Sequence, residues 1–251
     1  MNQRSMMEKF QPVSNTPPVG FWGRLKFFGR MIPDLQIKTI YKDVKQALPT
    51  FTGNVLDVGC GQSPYRFLLS QKETTYFGID IKDADKFKYF NADIIEFNGE
   101  DIPFESEKFN AVICTEVLEH VFHFQKLIDE MYRVCKANAD LIVTIPWSAR
   151  YHYIPWDFFR YTPASLTKMF SNFKEVTIKP RGTDLTSMCA KFIVLYYRNI
   201  IPKKLINFLF LPFWICLLPV FILVVLVAHL SIFLNLGSSE DPLGYTIFLK
   251  K

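Results

Sequence analysis

The stretch VLDVGCGQSP, residues 55–64, decides the fold of this chain. An apolar run typical of a buried strand leads into a turn with Gly59 and Gly61. Because glycine has no Cβ, the backbone of such a turn can approach a ligand closely. Asp80 follows about 20 residues later at the tip of the next predicted strand, where its carboxylate can accept hydrogen bonds from both ribose hydroxyls. The pattern predicts a nucleoside-binding turn, residues 59–63, called the glycine loop below.

The glycine loop has two other interpretations, a dinucleotide-binding turn and a plain tight turn. A dinucleotide-binding fingerprint needs a third glycine where this chain has Pro64, and that glycine allows close packing against a pyrophosphate. Adenosylmethionine has no phosphate to accommodate, so the missing glycine favours it over a dinucleotide. The remaining alternative is a plain tight turn without a ligand.

Short apolar strands alternate with helical patterns from Gly53 to about Gly182, which is typical of βαβ units on a parallel sheet. We therefore predict an α/β fold, a Rossmann-like seven-stranded sheet with helices on both faces. The predicted strands are 54–58, 76–79, 87–90, 111–114, 141–145, 176–179 and 244–249, and the predicted helices are 65–71, 124–136 and 163–170.

Positions 205–236 contain no charged residue. Buried helices of soluble proteins seldom stay uncharged beyond about 14 residues, so the run predicts a membrane-embedded segment. One straight helix would be about 48 Å long against a hydrocarbon core of roughly 30 Å. Pro212 and Pro219 are expected to divide it. A hairpin or re-entrant dip follows if 244–249 rejoins the sheet, and a single crossing if it does not.

These patterns divide the chain into four regions. Residues 1–50 form a tail and a basic, aromatic helical region, and residues 51–182 form the catalytic domain. Residues 183–239 form an apolar helical insertion, and 240–251 contain the last strand. Two further stretches, 21–30 and 188–201, mix apolar and cationic residues and are expected to lie at a lipid interface.

Charge and cysteine usage predict the compartment. The formal net charge is +5, and the basic residues stand beside apolar ones, which favours an anionic membrane surface over nucleic acid. The five cysteines form no CxxC pair, which fits a reducing compartment. Residues 1–18 lack the apolar core of a signal peptide. With Lys203 and Lys204 before the uncharged run, we expect a membrane protein whose catalytic domain faces the cytoplasm.

Over about residues 53–181 the motifs together resemble the class I S-adenosylmethionine-dependent methyltransferases, in particular the type 11 group that includes quinone-biosynthesis enzymes. The resemblance implies S-adenosyl-L-methionine as cofactor. Asp57, Gly59 and Gly61 match the methionine-binding loop. Asp80 matches the ribose-binding acid, and Asp93 matches the position that meets the adenine amino group.

A second motif, TEVLEHV at residues 115–121, follows the fourth predicted strand. It places Glu116, Glu119 and His120 at the carboxyl end of the sheet, where open α/β sheets bind ligands. We assign catalysis to Glu119 and His120, with the imidazole as general base for an acceptor hydroxyl. The alternatives are that the two residues only orient a helix, or that the cluster binds a divalent ion; no metal ligand is assigned.

The third motif, HYIPWDFFRYT at residues 152–162, resembles a segment of the same family. His152, Asp157, Arg160 and Tyr161 are predicted to grip the acceptor. The alternative is that Asp157 and Arg160 pair with each other and hold the loop.

The sequence therefore predicts methyl transfer to an oxygen of a lipid-linked or amphipathic acceptor at a membrane surface. The expected partners are the membrane and a membrane lipid or lipid-linked small molecule, with no nucleic acid. The alternative is a membrane-anchored cofactor-binding or scaffold protein without turnover, because Ser63 and Asn110 depart from the family pattern.

Overall fold

The fold is built on one seven-stranded sheet. The structure, a computed structural model, describes residues 15–81, 94–202 and 205–251. The strand order is β3-β2-β1-β4-β5-β7-β6. The strands are β1 Gly53–Val58, β2 Thr74–Ile81, β3 Ile94–Phe97, β4 Phe109–Thr115, β5 Cys135–Pro146, β6 Glu175–Arg181 and β7 Gly244–Lys250.

The central strands place their carboxyl ends together. β1 pairs in parallel with β2 on one side and with β4 on the other. The strands up to β3 are thus added on one side of β1, and the strands from β4 onward on its other side. Both faces of these strands are covered, and Val55, Leu56 and Val58 are completely buried, as expected for parallel strands between two layers. A crevice at such a change of side is where open α/β sheets bind ligands.

The predicted C-terminal strand completes the sheet. β7 runs antiparallel between β5 and β6, and Ile247 pairs with Val143 on one side and Ile178 on the other. Because β6 and β7 are antiparallel neighbours, the long connection between them begins and ends at the same end of these two strands.

Helices cover both faces of the sheet. α1 and α2 lie N-terminal to β1, and Val44 and Leu48 of this region pack with Ile113 of β4 and Ile142 of β5. On the other face Leu127 and Met131 of α3 are completely buried. The helices are α1 Gly20–Arg30, α2 Leu35–Ala47, α3 Phe124–Val134, α4 Pro163–Met169, α5 Asp184–Ile200, α6 Leu205–Leu209, α7 Leu211–Cys216 and α8 Leu218–Leu234.

The insertion between β6 and β7 is a helical hairpin, formed by α5 and α8 with α6 and α7 at its tip. Near the sheet the Thr183 hydroxyl donates to the Leu236 carbonyl (2.5 Å). Toward the tip the rings of Tyr196 and Phe221 stack at 4.3 Å. Between these two contacts the hydroxyls of Thr186 and Ser231 share a buried hydrogen bond of 2.6 Å. α5 and α8 are therefore antiparallel along their length.

The uncharged run does not form the membrane-spanning helix predicted from the sequence. It folds as three separate helices, and Pro212 and Pro219 stand at the starts of α7 and α8, where proline lacks only an amide that has no intrahelical partner. In the described ranges, no helix combines the length and the apolar character needed to cross a membrane.

Two secondary-structure predictions need correction, and a third falls on residues outside the described ranges. The helix expected at 65–71 is only a 3-10 turn, Arg66–Leu68, because the chain leaves the glycine loop through a left-handed Ser63 and then Pro64. The helix expected to end at 136 ends at Val134, where β5 begins. The strand expected at 87–90 lies outside the described residues, and β3 is instead found at Ile94–Phe97.

Candidate active site

The glycine loop lies at the carboxyl end of β1 and is tied to the tip of β2. Gly59 and Gly61 have φ angles of 65° and 51°, in the left-handed region that glycine tolerates best. A Cβ on Gly59 would come within 2.5 Å of a Val117 methyl carbon. The Gly61 amide donates to Asp80 Oδ2 (2.7 Å), and Asp80 Oδ1 accepts from the Ile81 amide (2.8 Å). Asp80 therefore fixes the loop that it adjoins.

Asp57 supports this loop from beneath. Its buried carboxylate accepts a hydrogen bond of 2.7 Å from the Tyr76 hydroxyl, which also contacts Ser63 Oγ at 2.8 Å. Burial raises the pKa of Asp57 to about 7; the Tyr76 hydrogen bond opposes this rise and the nearby Asp80 adds to it. Asp57 therefore braces the loop and does not line the cavity in front of it.

A cavity of about 1070 Å³ opens in front of the glycine loop. Ligand pockets for drug-sized molecules measure roughly 300–1,000 Å³, so this cavity has room for more than one such ligand. Gly59, Gly61 and Asp80 form part of its wall, and His120 and His152 form another part. The loop that would hold a nucleoside therefore faces the same space as two imidazoles.

His120 lines the cavity and carries one ring nitrogen without a proton, which lies beside Glu119. Its Nδ1 lies 2.8 Å from the Trp156 carbonyl, and since a carbonyl only accepts, Nδ1 must be the donor. In the neutral ring Nε2 then keeps its lone pair. Burial, and next the nearby His152, lower the pKa of His120 to about 4. His120 is thus neutral near pH 7 and able to accept a proton.

Glu119 lies beside His120 and is completely buried. Its Oε1 is 3.6 Å from His120 Nε2, and neither carboxyl oxygen has a hydrogen-bond partner among the described residues. Burial, and next the charge of Glu116, raise the pKa of Glu119 well above its usual value. Burial therefore favours the protonated, neutral form of the Glu119 carboxyl group.

Three of these side chains meet the requirements of a small metal site. Glu119, His120 and His152 each offer a ligand atom, and the three atoms lie within 4.8 Å of one another. One carboxylate and two imidazoles are a donor set that several divalent transition metals accept. The group can therefore hold an ion once Glu119 ionises, which would lower the pKa of an acceptor hydroxyl.

The segment after β5 is held by its own ion pair. Arg160 donates to both oxygens of Asp157 (2.6 and 2.8 Å), and His152 Nδ1 lies 2.9 Å from Asp157 Oδ2. Burial opposes ionisation of Asp157, but the hydrogen bonds from Arg160 and His152 outweigh it and hold the pKa of Asp157 below its usual value. Arg160 and Asp157 therefore form the pair that the sequence left as an alternative.

A second ion pair holds the end of β4. The completely buried Arg181 of β6 donates to Glu116 Oε1 (2.7 Å) and to the Ile145 carbonyl (2.8 Å). A Cβ on Gly244 would lie 2.4 Å from Arg181 Nη2, so the guanidinium passes over a strand that must carry glycine there. Glu116 has a positive φ of 54°. This unusual backbone stands at the cavity wall, and Arg181 fixes the carboxylate that it carries.

Comparison with known proteins supports this geometry. Residues 56–143, from β1 to β5, match the family model described as a methyltransferase domain. This part of the chain is a methyltransferase domain, and its cofactor is S-adenosylmethionine. The seven-stranded fold agrees with this assignment. An S-adenosylmethionine-dependent methyltransferase from Archaeoglobus fulgidus superimposes with a TM-score of 0.53 at 17% identity, covering 91% of this chain and 99% of that one.

Two curated relatives match in sequence. An uncharacterized protein of Methanocaldococcus jannaschii is 28% identical over 120 residues, which are 46% of this chain and 52% of that protein. The mitochondrial ubiquinone biosynthesis O-methyltransferase of Mus musculus is 32% identical over 102 residues, which are 36% of this chain and 28% of that enzyme. The matches thus span about half or less of these relatives.

The residues present in the methyltransferase domain fit S-adenosylmethionine. The open turn at Gly59 and Gly61 leaves backbone close to the cavity, and Asp80 stands at its side as a carboxylate for ribose hydroxyls. Nothing in the loop requires a phosphate. Asp93, predicted to meet the adenine, lies outside the described residues.

The structure brings some predicted acceptor residues to the cavity of the methyltransferase domain and not others. His152 lines it, whereas Asp157, Arg160 and Tyr161 do not. Tyr161 is buried and donates to the Leu118 carbonyl (3.0 Å). The roles of Asp157, Arg160 and Tyr161 in acceptor binding stay predictions. The observed contacts of these three residues stabilise the loop that carries His152.

Sequence reasoning missed Arg181 and the cavity wall formed by α5. Arg181 contacts Glu116 from three strands away, so no local spacing reveals the pair. One signal was available: Arg181 closely follows the predicted strand 176–179 and stands just before Gly182.

Proposed function

We propose that this protein transfers a methyl group from S-adenosylmethionine to an oxygen of a lipid-linked or amphipathic acceptor at a membrane surface. One observation supports the reaction above all: the glycine loop and His120 line the same cavity. A donor and an acceptor bound in that cavity would lie next to each other, which removes much of the entropic barrier to their reaction.

The side chains supply the proton transfer. The bound cofactor supplies an electrophilic methyl group on a sulfonium. As the acceptor oxygen gains the methyl group, its proton passes to His120 Nε2, and the imidazole becomes imidazolium. The Nδ1 hydrogen bond to Trp156 holds the ring in this orientation. Glu119 Oε1 lies 3.6 Å from Nε2 and is the acidic group next to the imidazolium that forms.

Exposed apolar side chains support the membrane part of the proposal. Trp22 on α1 is 76% exposed, and Phe213 at the hairpin tip is 58% exposed. Arg24 and Lys26 lie beside the exposed aromatic residues of α1. An apolar surface flanked by cations fits the interface of a bilayer that contains anionic lipid. Other exposed apolar residues of these helices are Phe21, Leu25, Phe208, Leu209, Phe210, Leu223, Leu226 and Phe233.

Replacing Asp80 should weaken cofactor binding. Asp80→Ala removes a charged acceptor and also releases the Gly61 amide, so we expect S-adenosylmethionine affinity to fall roughly 10- to 100-fold. Titration calorimetry measures the change directly. Asp101→Ala, at an exposed acid outside the cavity, is the matched control. Undiminished affinity in Asp80→Ala would remove the basis of the proposal.

Removing two exposed aromatic residues should weaken membrane attachment. We expect Trp22→Ser with Phe213→Ser to reduce vesicle binding at least tenfold, because each large apolar side chain contributes roughly 1.5–3 kcal/mol when it leaves water. Flotation with vesicles of phosphatidylglycerol and phosphatidylcholine measures the bound fraction. Phe122→Ser is the control, since Phe122 is 62% exposed but lies outside α1 and the hairpin. Equal losses in both variants would speak against attachment through α1 and the tip.

A further inference from the structure

We propose that the acceptor is a phosphate-bearing lipid whose apolar chain lies against α5 and whose phosphate is bound by Lys191 and Arg198. This inference rests on the proposed function, since it names the class of acceptor that enters the same cavity. The charge that the cavity presents favours a phosphate-bearing acceptor over an uncharged one.

One face of α5 forms part of the cavity wall. Ala190, Val194 and Tyr197 line the cavity at helical spacing, together with Lys191 and Arg198. Residues three, four and seven apart share a helix face. This wall is therefore an apolar stripe with a cation near each end.

The acids of this cavity are already paired. Among the described residues that line it, the acids are Asp34, Asp80 and Glu116. Asp34 pairs with Arg30 (3.2 Å), Asp80 accepts backbone hydrogen bonds, and Glu116 pairs with the buried Arg181.

The wall formed by α5 also carries two cations, Lys191 and Arg198. Within the part of the chain that the structure describes, neither Lys191 nor Arg198 has a carboxylate within ion-pair distance. Both are exposed, so they can reach a ligand at the mouth of the cavity without desolvation of an existing pair. The unmatched charge of the cavity is therefore positive, and phosphate is the anion that lysine and arginine bind most readily.

The same helix offers a route for an apolar chain. Leu195, which also lines the cavity, is 49% exposed, and Ile201 at the end of α5 is 59% exposed. Beyond them the hairpin tip exposes Phe208 and Phe213. An apolar chain that leaves the cavity past Leu195 thus meets the surface assigned to the bilayer, while its head group stays near His120.

The test measures binding of dodecyl phosphate, below its micelle concentration, to the full chain saturated with S-adenosylhomocysteine. We expect saturable binding by calorimetry and a loss of roughly tenfold or more in the variant Lys191→Gln with Arg198→Gln. Lys168→Gln is the matched control, because Lys168 is an exposed lysine on α4 outside the cavity. Inorganic phosphate and dodecyl maltoside are the two comparison ligands.

Each outcome decides the proposal. The proposal is supported if inorganic phosphate and dodecyl maltoside both bind more weakly than dodecyl phosphate. Equal binding of inorganic phosphate overturns the lipid part, and equal binding of dodecyl maltoside overturns the phosphate part. An unchanged affinity in the double variant overturns the role of the two cations. If S-adenosylhomocysteine binds but dodecyl phosphate does not, this inference fails alone; if neither binds, the proposed function fails with it.

Discussion

The variant Arg181→Met is expected to lose about 3 kcal/mol of unfolding free energy, the largest effect on stability that we predict. Removing one partner of a buried ion pair leaves the other uncompensated, which typically costs about 3–5 kcal/mol. Glu116 keeps some solvent contact, so the lower end applies. The Ile145 carbonyl would lose its 2.8 Å hydrogen bond as well. Urea unfolding followed by circular dichroism measures the change.

Lys250→Met provides the matched control for Arg181→Met. Lys250 also pairs with an acid at the edge of the sheet, Asp140 at 3.3 Å, but both side chains are substantially exposed. Exposed pairs contribute roughly 0–1 kcal/mol, so the control should unfold almost like the parent. If the two variants unfold at the same urea concentration, the buried pair does not stabilise the sheet.

The variant His120→Ala is expected to lower the rate of methyl transfer by roughly 10²- to 10⁴-fold, the usual contribution of a general base. S-adenosylmethionine affinity should stay close to the parent value, because the His120 side chain contacts Trp156 and Glu119, whereas Asp80 holds the glycine loop. The measurement is transfer of labelled methyl into a membrane lipid extract, with calorimetry of cofactor binding beside it. His123→Ala, at an exposed histidine, is the control.

The pH dependence of the methyl-transfer rate tests the general-base role of His120 independently. The pKa of His120 in the folded protein, about 4, lies below the value of about 6.5 for an unfolded chain. The rate should therefore stay level from pH 8 to 5 and fall as the pH drops through about 4. Because the unfolded chain takes up this proton first, the unfolding free energy should also decline between about pH 6.5 and 4.

Two results would contradict the general-base role. One is a full rate in His120→Ala; the other is an acidic limb centred near pH 6.5. A rate that disappears with a chelator and returns with a divalent ion would instead assign His120 to a metal site with Glu119 and His152.

The sequence predicted the centre of the fold because its signals there are local. The apolar run of β1 leads directly into the glycine loop, and Asp80 stands at the tip of the next strand, so spacing along the chain placed all three together. The C-terminal strand was also recognised locally, from its short apolar pattern between polar residues.

The remaining features depend on contacts between distant segments. β3 has a mixed pattern of exposure that no apolar run marks. The Glu116–Arg181 pair joins β4 to β6, and the cavity wall of α5 exists only because the hairpin folds back along the sheet. The predicted division of the uncharged run at Pro212 and Pro219 is confirmed, but in the described ranges none of the resulting helices can cross a membrane.

The position of the hairpin has an evolutionary consequence. It enters and leaves between two adjacent antiparallel strands, and its two ends are joined by the bond from Thr183 to Leu236. Mutations that lengthen, trim or delete the hairpin therefore leave strand registration unchanged, much as a loop can vary. Changes in this appendage would thus alter the wall of the cavity, and with it the choice of acceptor, while the pairing of the strands stays the same.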